Sequence, residues 1–291
     1  MHKYLKSVGF SRLERKSELE KILAEVTEHY DRKKIVENEE GHLFAEISKE
    51  FGYDCGITVC GEYDENNVFQ MEYYFPYFSG SQITSHEEII VERHAGKESF
   101  AGACDDMRVG ISLIFYLLNA GDYLNVCRKG MLRELNTSLS LSGLADSGTI
   151  LLPLRKDVKQ LEADRKQSQQ RNSLLAAARN GDEEAMESLT MEDIDIYTMI
   201  SRRIRHEDVY SIVDSYLMPY GIECDQYNLM GEITECSTTV NSLTGEKLYQ
   251  LGITTNDIPL DICVNEKDLY GIPEVGRRFK GVVWLQGLIN F

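Results

Sequence analysis

Hydrophobic residues near the start of the chain recur at the three- and four-residue spacing of an amphipathic helix. This spacing predicts a helix over residues 17–30. Ser17 and Glu20 have the spacing of a capping box, which places the start of the helix at Ser17. The charged run over residues 31–42 is interpreted as a solvated connection. The predicted apolar face of the helix consists of Leu19, Ile22, Leu23, Val26 and Tyr30.

Beyond Leu43, hydrophobic and polar residues alternate, which is typical of half-buried strands. The runs LFAEI, ITVCGEY, VFQMEYYFPYF and EEIIVER predict a four-stranded antiparallel meander over residues 42–93. The third run carries aromatic residues on both of its faces. Both faces are interpreted as core, because large aromatic side chains dominate protein cores. The alternative is that one face contacts a second domain or a ligand.

The run from Val109 to Leu118 is apolar on nearly every side, which predicts a helix buried on all sides. Asp105 or Asp106 would then stand at the N-cap position of this helix. A strand-like TILLPL follows further on, and the first domain is predicted to end near Leu154.

The rest of the chain predicts a connector and a second domain. Residues 155–220 are polar and helix-forming, with Gly181 ending one helix and Asp182 capping the next. Residues 221–291 contain short strand-like runs separated by Gly, Asn and Asp, which predict a small barrel or sandwich-like domain. The predicted fold class is therefore α+β: an antiparallel β-meander packed with helices (1–154), a helical connector (155–220) and a C-terminal β-rich domain.

Length and charge narrow the classes of function. A chain of 291 residues is long enough for two domains. Its formal net charge is −17, and the acidic excess is spread along the chain. Such a surface repels phosphate backbones and anionic lipids at long range, so we expect no nucleic-acid or membrane partner.

The seven cysteines are scattered and contain no CxxC pair, which argues against a zinc ribbon or a thioredoxin-like motif. The first residues, MHKYLKSVGF, lack the apolar run of a signal peptide, and the longest apolar stretch is far shorter than a membrane span. These features predict a cytoplasmic protein with reduced thiols.

The densest cluster of titratable groups lies between residues 92 and 108. On a helix, His94 and Glu98 would share one face and could bind a divalent metal together with Asp105 or Asp106. Arg108 could then neutralise an anionic substrate, as in a metal-dependent hydrolase. A glycine inside the pair, the lack of an HExxH-type signature and the ordinary N-cap role of an aspartate all weaken this hypothesis. Capping and structural ion pairing are therefore the favoured interpretation.

Two short basic runs, SRRIRHED and GRRFKG, are candidates for anion binding. Arg202 and Arg203 in the first run, with Arg277 and Arg278 in the second, could bind a phosphate or nucleotide if the runs face each other. This would make the protein a nucleotide or anion sensor. Ion pairing with neighbouring acids is the more common role of such runs, and it is the favoured interpretation.

The usual signatures of catalysis are missing from the sequence. It has no GxSxG, no GxxxxGK[ST] and no GxGxxG, and it signals no cofactor; a divalent metal is expected only under the hydrolase alternative. The leading hypothesis is a non-enzymatic binding, regulatory or interaction protein. A protein partner would contact its aromatic strand or its helical connector.

Four word-like runs carry a resemblance that spans most of the chain. They are RHAGKESFAGACDDMRVGISLIFYL, ARNGDEEAMESLTMEDIDIYTMISRRI, YSIVDSYLMPYGIECDQYNLMGEI and DICVNEKDLYGIPEVGRRFKGVVWLQG. In these runs the chain resembles a domain-of-unknown-function family of anaerobic Gram-positive bacteria. The resemblance implies a cytoplasmic location, and it assigns no catalytic residues.

Overall fold

The structure is a computed structural model that describes residues 1–38, 41–94, 99–131, 135–154, 158–222 and 224–291. Helices and strands both contribute to it, which confirms the α+β fold class. The helices are α1 (Lys16–Glu28), α2 (Ala120–Arg128), α3 (Val158–Arg179), α4 (Glu183–Arg203) and α5 (Val209–Ile212). The strands are β1 (Arg32–Glu37), β2 (Leu43–Gly52), β3 (Cys55–Tyr63), β4 (Phe69–Phe78), β5 (Ile89–Arg93), β6 (Phe100–Asp106), β7 (Ile111–Leu117), β8 (Ser138–Leu151), β9 (Tyr216–Pro219), β10 (Gln226–Val240), β11 (Lys247–Thr255), β12 (Ile258–Asn265), β13 (Leu269–Tyr270) and β14 (Arg278–Asn290).

The predicted N-terminal helix is confirmed as α1, although its capping differs from the prediction. Arg15 occupies the N-cap position, and its backbone N–H donates to the Glu18 carboxylate at 3.4 Å. The capping box therefore uses Arg15 and Glu18, and the prediction of Ser17 and Glu20 was wrong. Leu19, Ile22, Leu23 and Val26 are buried where the helix packs against β2 and β3. Tyr30, the fifth residue of the predicted apolar face, lies beyond the end of the helix and is exposed.

The described strands form two sheets, and the first is a four-stranded antiparallel sheet in the order β1-β2-β3-β4. The predicted meander has the right number of strands but begins one strand too late. Its first strand, β1, lies in the segment that was interpreted as a solvated connection, and this strand buries Val36. The last predicted strand, β5, pairs with β6 in the other sheet. Because β1 carries charged residues at most positions, its hydrophobic pattern was too weak to predict a strand.

The predicted buried helix over Val109–Leu118 is wrong, because this segment is strand β7 of a hairpin with β6. Leu113, Phe115 and Leu117 point into the core, while the residues between them are half-buried. A short apolar run bounded by a turn fits a buried strand as well as a buried helix, and periodicity alone does not separate the two.

In the described ranges the second sheet has ten strands, and five of them close into a ring. The ring runs β8-β12-β11-β10-β14 and returns from β14 to β8. This ring is the small barrel that the C-terminal sequence predicts, but β8 comes from the segment before Leu154. The predicted boundaries near 154 and 220 therefore do not separate the sheets. As a division into folding units they stay a prediction.

The helical connector is confirmed over α3 and α4, which pack against each other. Gly181 adopts a positive φ of 88° between them, and the Asp182 side chain accepts hydrogen bonds from two amides of the first turn of α4. Farther on, the helix-forming segment ends before the predicted boundary at residue 220, because α5 is only four residues long and Tyr216 begins β9. No helix in the described part of the chain is long and apolar enough to cross a membrane.

Candidate functional site

The residues of the predicted polar cluster lie at opposite ends of the β5–β6 hairpin. His94 follows the last residue of β5, beside Phe100 at the start of β6, whereas Asp106 is the last residue of β6. Six residues of strand separate these two positions by about 20 Å. His94 and Asp106 therefore do not ligate the same ion. Glu98 falls outside the described residues, and those that are described hold no group of three or more metal-binding side chains.

Asp106 and Arg108 form a structural ion pair. The Arg108 Nε donates to Asp106 Oδ1 at 2.8 Å, and Ser85 Oγ donates to the other carboxylate oxygen at 2.7 Å. Burial opposes ionisation of Asp106, but these hydrogen bonds lower its pKa below the usual range. Asp105 accepts instead from the Ser112 hydroxyl. The remaining acceptors of the Arg108 guanidinium are the backbone oxygens of Thr84 and Asp257, at 2.6 and 2.9 Å.

Asp106 and Arg108 thus form an ion pair, and Asp105 and Asp106 cap no helix, because the apolar run that follows them is strand β7. The Arg108 guanidinium already donates hydrogen bonds to oxygens of Asp106, Thr84 and Asp257, so it is poorly placed to neutralise a substrate. The chemical roles proposed for His94 and Glu98 stay predictions.

Three of the four candidate anion-binding arginines donate to acceptors in the protein. Arg203 pairs with Glu207, and Arg277 pairs with Glu274 at 2.8 Å. Arg278 is nearly buried, and its guanidinium donates to three backbone oxygens; burial lowers its pKa. Arg202 lies exposed at the end of α4. The three acceptors of Arg278 are the oxygens of Leu152, Tyr210 and Val213.

His94 lies instead at a different site, a cleft of about 690 Å³ that opens beside Trp284 and that we name the Trp284 cleft. Its walls come from the N-terminal segment, from β5, β6 and β7, from the start of β10 and from β14. The parallel pairing of β7 with β14 brings these parts of the chain together. The cleft is lined by His2, Lys3, Tyr4, Glu92, His94, Ala101, Ile114, Cys224, Asp225, Gln226 and Trp284.

Aromatic rings pack against Trp284 at the floor of the Trp284 cleft. The Tyr4 ring is stacked on Trp284 with 5.6 Å between centroids, and the Tyr116 ring lies 5.1 Å away on a tilted plane. The Trp284 Nε1–H donates to Asp225 Oδ2 at 2.6 Å, which fixes the orientation of the indole. Trp284 is only 5% exposed, so the indole is held in place before any ligand arrives.

Two histidines add polar groups to this cleft. The His2 ring lies 4.7 Å from Trp284, and its Nδ1 accepts a hydrogen bond from the Tyr4 amide. Burial lowers the pKa of His2 to about 4, so the ring is neutral at pH 7. A neutral ring that accepts at Nδ1 carries its proton on Nε2. His94 contacts the Ser99 hydroxyl through Nδ1 at 2.9 Å.

The sequence pointed to His94 but missed its neighbours in the cleft. No pattern in the sequence singles out His2, which is half-buried against Trp284. Trp284 is the only tryptophan in the chain, and its large amphipathic ring was the one signal that could have identified it.

One family model matches the chain, over residues 5–287: it is described as "Domain of unknown function, E. rectale Gene description (DUF3881)". This match confirms the resemblance to a domain-of-unknown-function family that the sequence carries. No curated protein matches the chain, and no solved structure matches it either.

Proposed function

The chain belongs to the DUF3881 family, whose description names no activity, and we propose that it is a non-enzymatic binding protein for a small ligand in the Trp284 cleft. The observation that carries this proposal is the cleft itself. Its volume of about 690 Å³ lies within the range of small-molecule sites. Such sites combine apolar and aromatic walls with a few fixed polar groups, and the Trp284 cleft has this composition.

The lining favours a flat ligand with a positive charge. The exposed carboxylate of Glu92 has no ion pair or hydrogen bond within the described part of the chain, and Asp225 adds a second carboxylate. The one lysine of the lining, Lys3, already pairs with Asp146 at 3.4 Å. A cation is therefore attracted to the cleft, where a planar one contacts the small exposed part of the Trp284 indole.

Binding fits the titratable groups of this cleft better than catalysis does. A general base works best when its pKa lies near the working pH. Burial holds the pKa of His2 far below 7, and Asp225 is hydrogen-bonded to Trp284. These groups are suited to orienting a ligand.

We also propose that the protein works in the cytoplasm. All seven cysteines are free thiols, and four of them are buried. Free thiols are typical of a reducing compartment, which supports this assignment.

Fluorescence of Trp284, the only tryptophan, reports directly on the cleft. We expect benzamidine, a planar cation, to quench it at lower concentration than its neutral isostere benzamide, and benzoate to be weakest. Glu92→Gln should reduce the preference for benzamidine over benzamide, because it removes the free carboxylate. The matched control is Glu88→Gln, which changes an exposed glutamate outside the lining. Equal binding of the three probes, or no quenching by any, would contradict the proposal.

A further inference from the structure

A second cleft, of about 400 Å³, lies between the four-stranded sheet and α2, and we name it the Glu46 cleft. Cross-strand pairing sets its polar floor: Lys34 stands opposite Glu46, and Arg32 stands opposite Ser48. Residues two apart on β1 point to the same face, so both cations face the cleft. Tyr77 of β4 and Asp122 of α2 also line the cleft.

The cations of this cleft keep donors available. Arg32 donates through Nη2 to the Tyr77 hydroxyl at 3.2 Å, and the same nitrogen lies 3.7 Å from Glu50. Within the described residues its Nε and Nη1 have no partner. Lys34 pairs with Asp122 through one of its three donors. A cleft with open cationic donors is unusual on a protein of net charge −17.

Glu46 holds a carboxyl group at the floor of the cleft. Its Oε2 accepts a hydrogen bond from the Gly121 amide in the first turn of α2, at 3.0 Å. Burial raises the pKa of Glu46 to about 7, with a further increase from Asp122 and a decrease from Arg32 and Lys34. The other titratable groups that act on it are Cys60, Tyr73 and Tyr116, from β3, β4 and β7.

We propose that the Glu46 cleft binds a small oxyanion between Arg32 and Lys34, and that Glu46 takes up a proton when the anion binds. An ionised Glu46 would repel the anion, whereas the protonated carboxyl is neutral and can donate a hydrogen bond to it. Binding is therefore strongest below the pKa of Glu46 and weakens as the pH rises through it. This site is separate from the Trp284 cleft and shares none of its lining residues.

Calorimetric titration with sulfate tests this site, because sulfate keeps its charge near neutral pH. One linked proton with a pKa near 7 makes binding about tenfold weaker at about pH 8 than at about pH 6. Glu46→Gln keeps an acceptor for the Gly121 amide and removes the titration, so its affinity should be the same at both pH values. Lys34→Met should weaken binding at both, whereas Lys21→Met, on the exposed side of α1, should not.

The proposal is overturned if sulfate does not bind. It is also overturned if the affinity of the wild-type protein is the same at both pH values, or if Lys34→Met leaves the affinity unchanged. Circular dichroism of each variant checks that the fold is intact. None of these outcomes bears on benzamidine binding, so the two proposals fail independently.

An independent observation concerns α4. The face that contacts α3 carries buried and half-buried residues, among them Ala185 and Ile196. The opposite face is apolar at its centre and yet exposed. Its large apolar residues, with their exposed fractions, are Met186 (44%), Met191 (65%), Ile194 (55%) and Tyr197 (74%).

Charges at the two ends of this exposed face have opposite signs. Glu183 and Glu187 lie at its start, while Arg202 and Arg205 lie at its end and just beyond. Within the described residues, none of these four side chains forms an ion pair. An antiparallel copy of the same helix would place acid against base at both ends.

We infer that the exposed face of α4 pairs with α4 of a second copy of this chain, antiparallel and centred near Ile194. About this centre Met191 faces Tyr197 of the second copy, and Glu187 comes near Arg202. The contact is isologous, so each pairing occurs twice. A helix of 21 residues, about 31 Å long, gives this contact the length of a helical-bundle interface.

Sedimentation equilibrium tests the inference. We expect a salt-sensitive dimer, which Tyr197→Glu abolishes because it places a charge at the apolar centre. Tyr270→Glu, at a tyrosine that is also 69% exposed, should leave the dimer intact. Glu187→Arg and Arg202→Glu should each weaken the dimer, and combining them should restore it. A monomer at all concentrations, a dimer insensitive to Tyr197→Glu, or no recovery in the double variant overturns the inference.

Discussion

Asp106 shows how a cluster of charged residues can serve structure instead of chemistry. Its carboxylate is only 4% exposed, and it receives three hydrogen bonds from Arg108 and one from the Ser85 hydroxyl. Removing one member of a buried pair leaves the other charge without its partner. The pair therefore predicts a measurable loss of stability with no loss of binding at either cleft.

We expect Asp106→Asn to lower the free energy of unfolding by about 2–3 kcal/mol at neutral pH, measured by urea unfolding. The pKa of Asp106 is lowered in the folded protein, so its contribution is present above the unfolded pKa and is lost as the pH falls through the folded pKa. The difference between variant and wild type should therefore shrink in acid. Asp105→Asn, at the exposed neighbour, should cost no more than about 0.5 kcal/mol. Equal effects of the two substitutions would contradict this assignment.

At the scale of elements, the sequence predicted strands where hydrophobic and polar residues alternate strictly, and it predicted a helix where hydrophobic residues recur every three or four positions. The apolar spacing of α1 and the strands β2, β3 and β4 follows directly from the pattern of the sequence. Prediction failed where the pattern was compatible with two structures. The apolar run of β7 is compatible with a buried helix as well as with a strand. The charged residues of β1 give no strand pattern, and this strand is stabilised by its pairing with β2.

A substitution at Gly110 distinguishes a strand from a helix in the apolar run over residues 109–118. In the structure it adopts a φ of 71° in the turn before β7, with open space where a Cβ would lie. Gly110→Ala should therefore destabilise the protein by about 1 kcal/mol, through backbone strain alone. In the helix that the sequence predicts, the same substitution would stabilise the protein by up to about 1 kcal/mol. The sign of the change in unfolding free energy decides between them.

At the scale of the whole molecule, the Trp284 cleft joins residues that are distant in the sequence. His2, His94 and Trp284 come from the start, the first third and the end of the chain. They meet because β14 lies between β10 and β7, and no local pattern encodes that order of strands. The sequence could therefore select His94 as a candidate, but it could not reveal its neighbours.

The closed ring joins strands from both sides of the predicted boundaries near residues 154 and 220. Strand β8 lies before the helical connector, yet it pairs with β12 in parallel and with β14 along most of its length. Arg278 adds hydrogen bonds from β14 to the backbone oxygens of Leu152, of Tyr210 in α5 and of Val213 just after α5. Because these contacts connect both ends of the chain, a long-range pairing determines the architecture, and hydrophobic periodicity carries no information about it.

A crystal structure of the protein with benzamidine is the most direct test of the proposed binding function. The account predicts the benzamidine ring against Trp284 and its amidinium near the carboxylate of Glu92. It also predicts that the ring leaves the hydrogen bond between Trp284 and Asp225 in place. A Trp284 cleft that stays empty at saturating benzamidine, or benzamidine bound only elsewhere, would contradict the central claim.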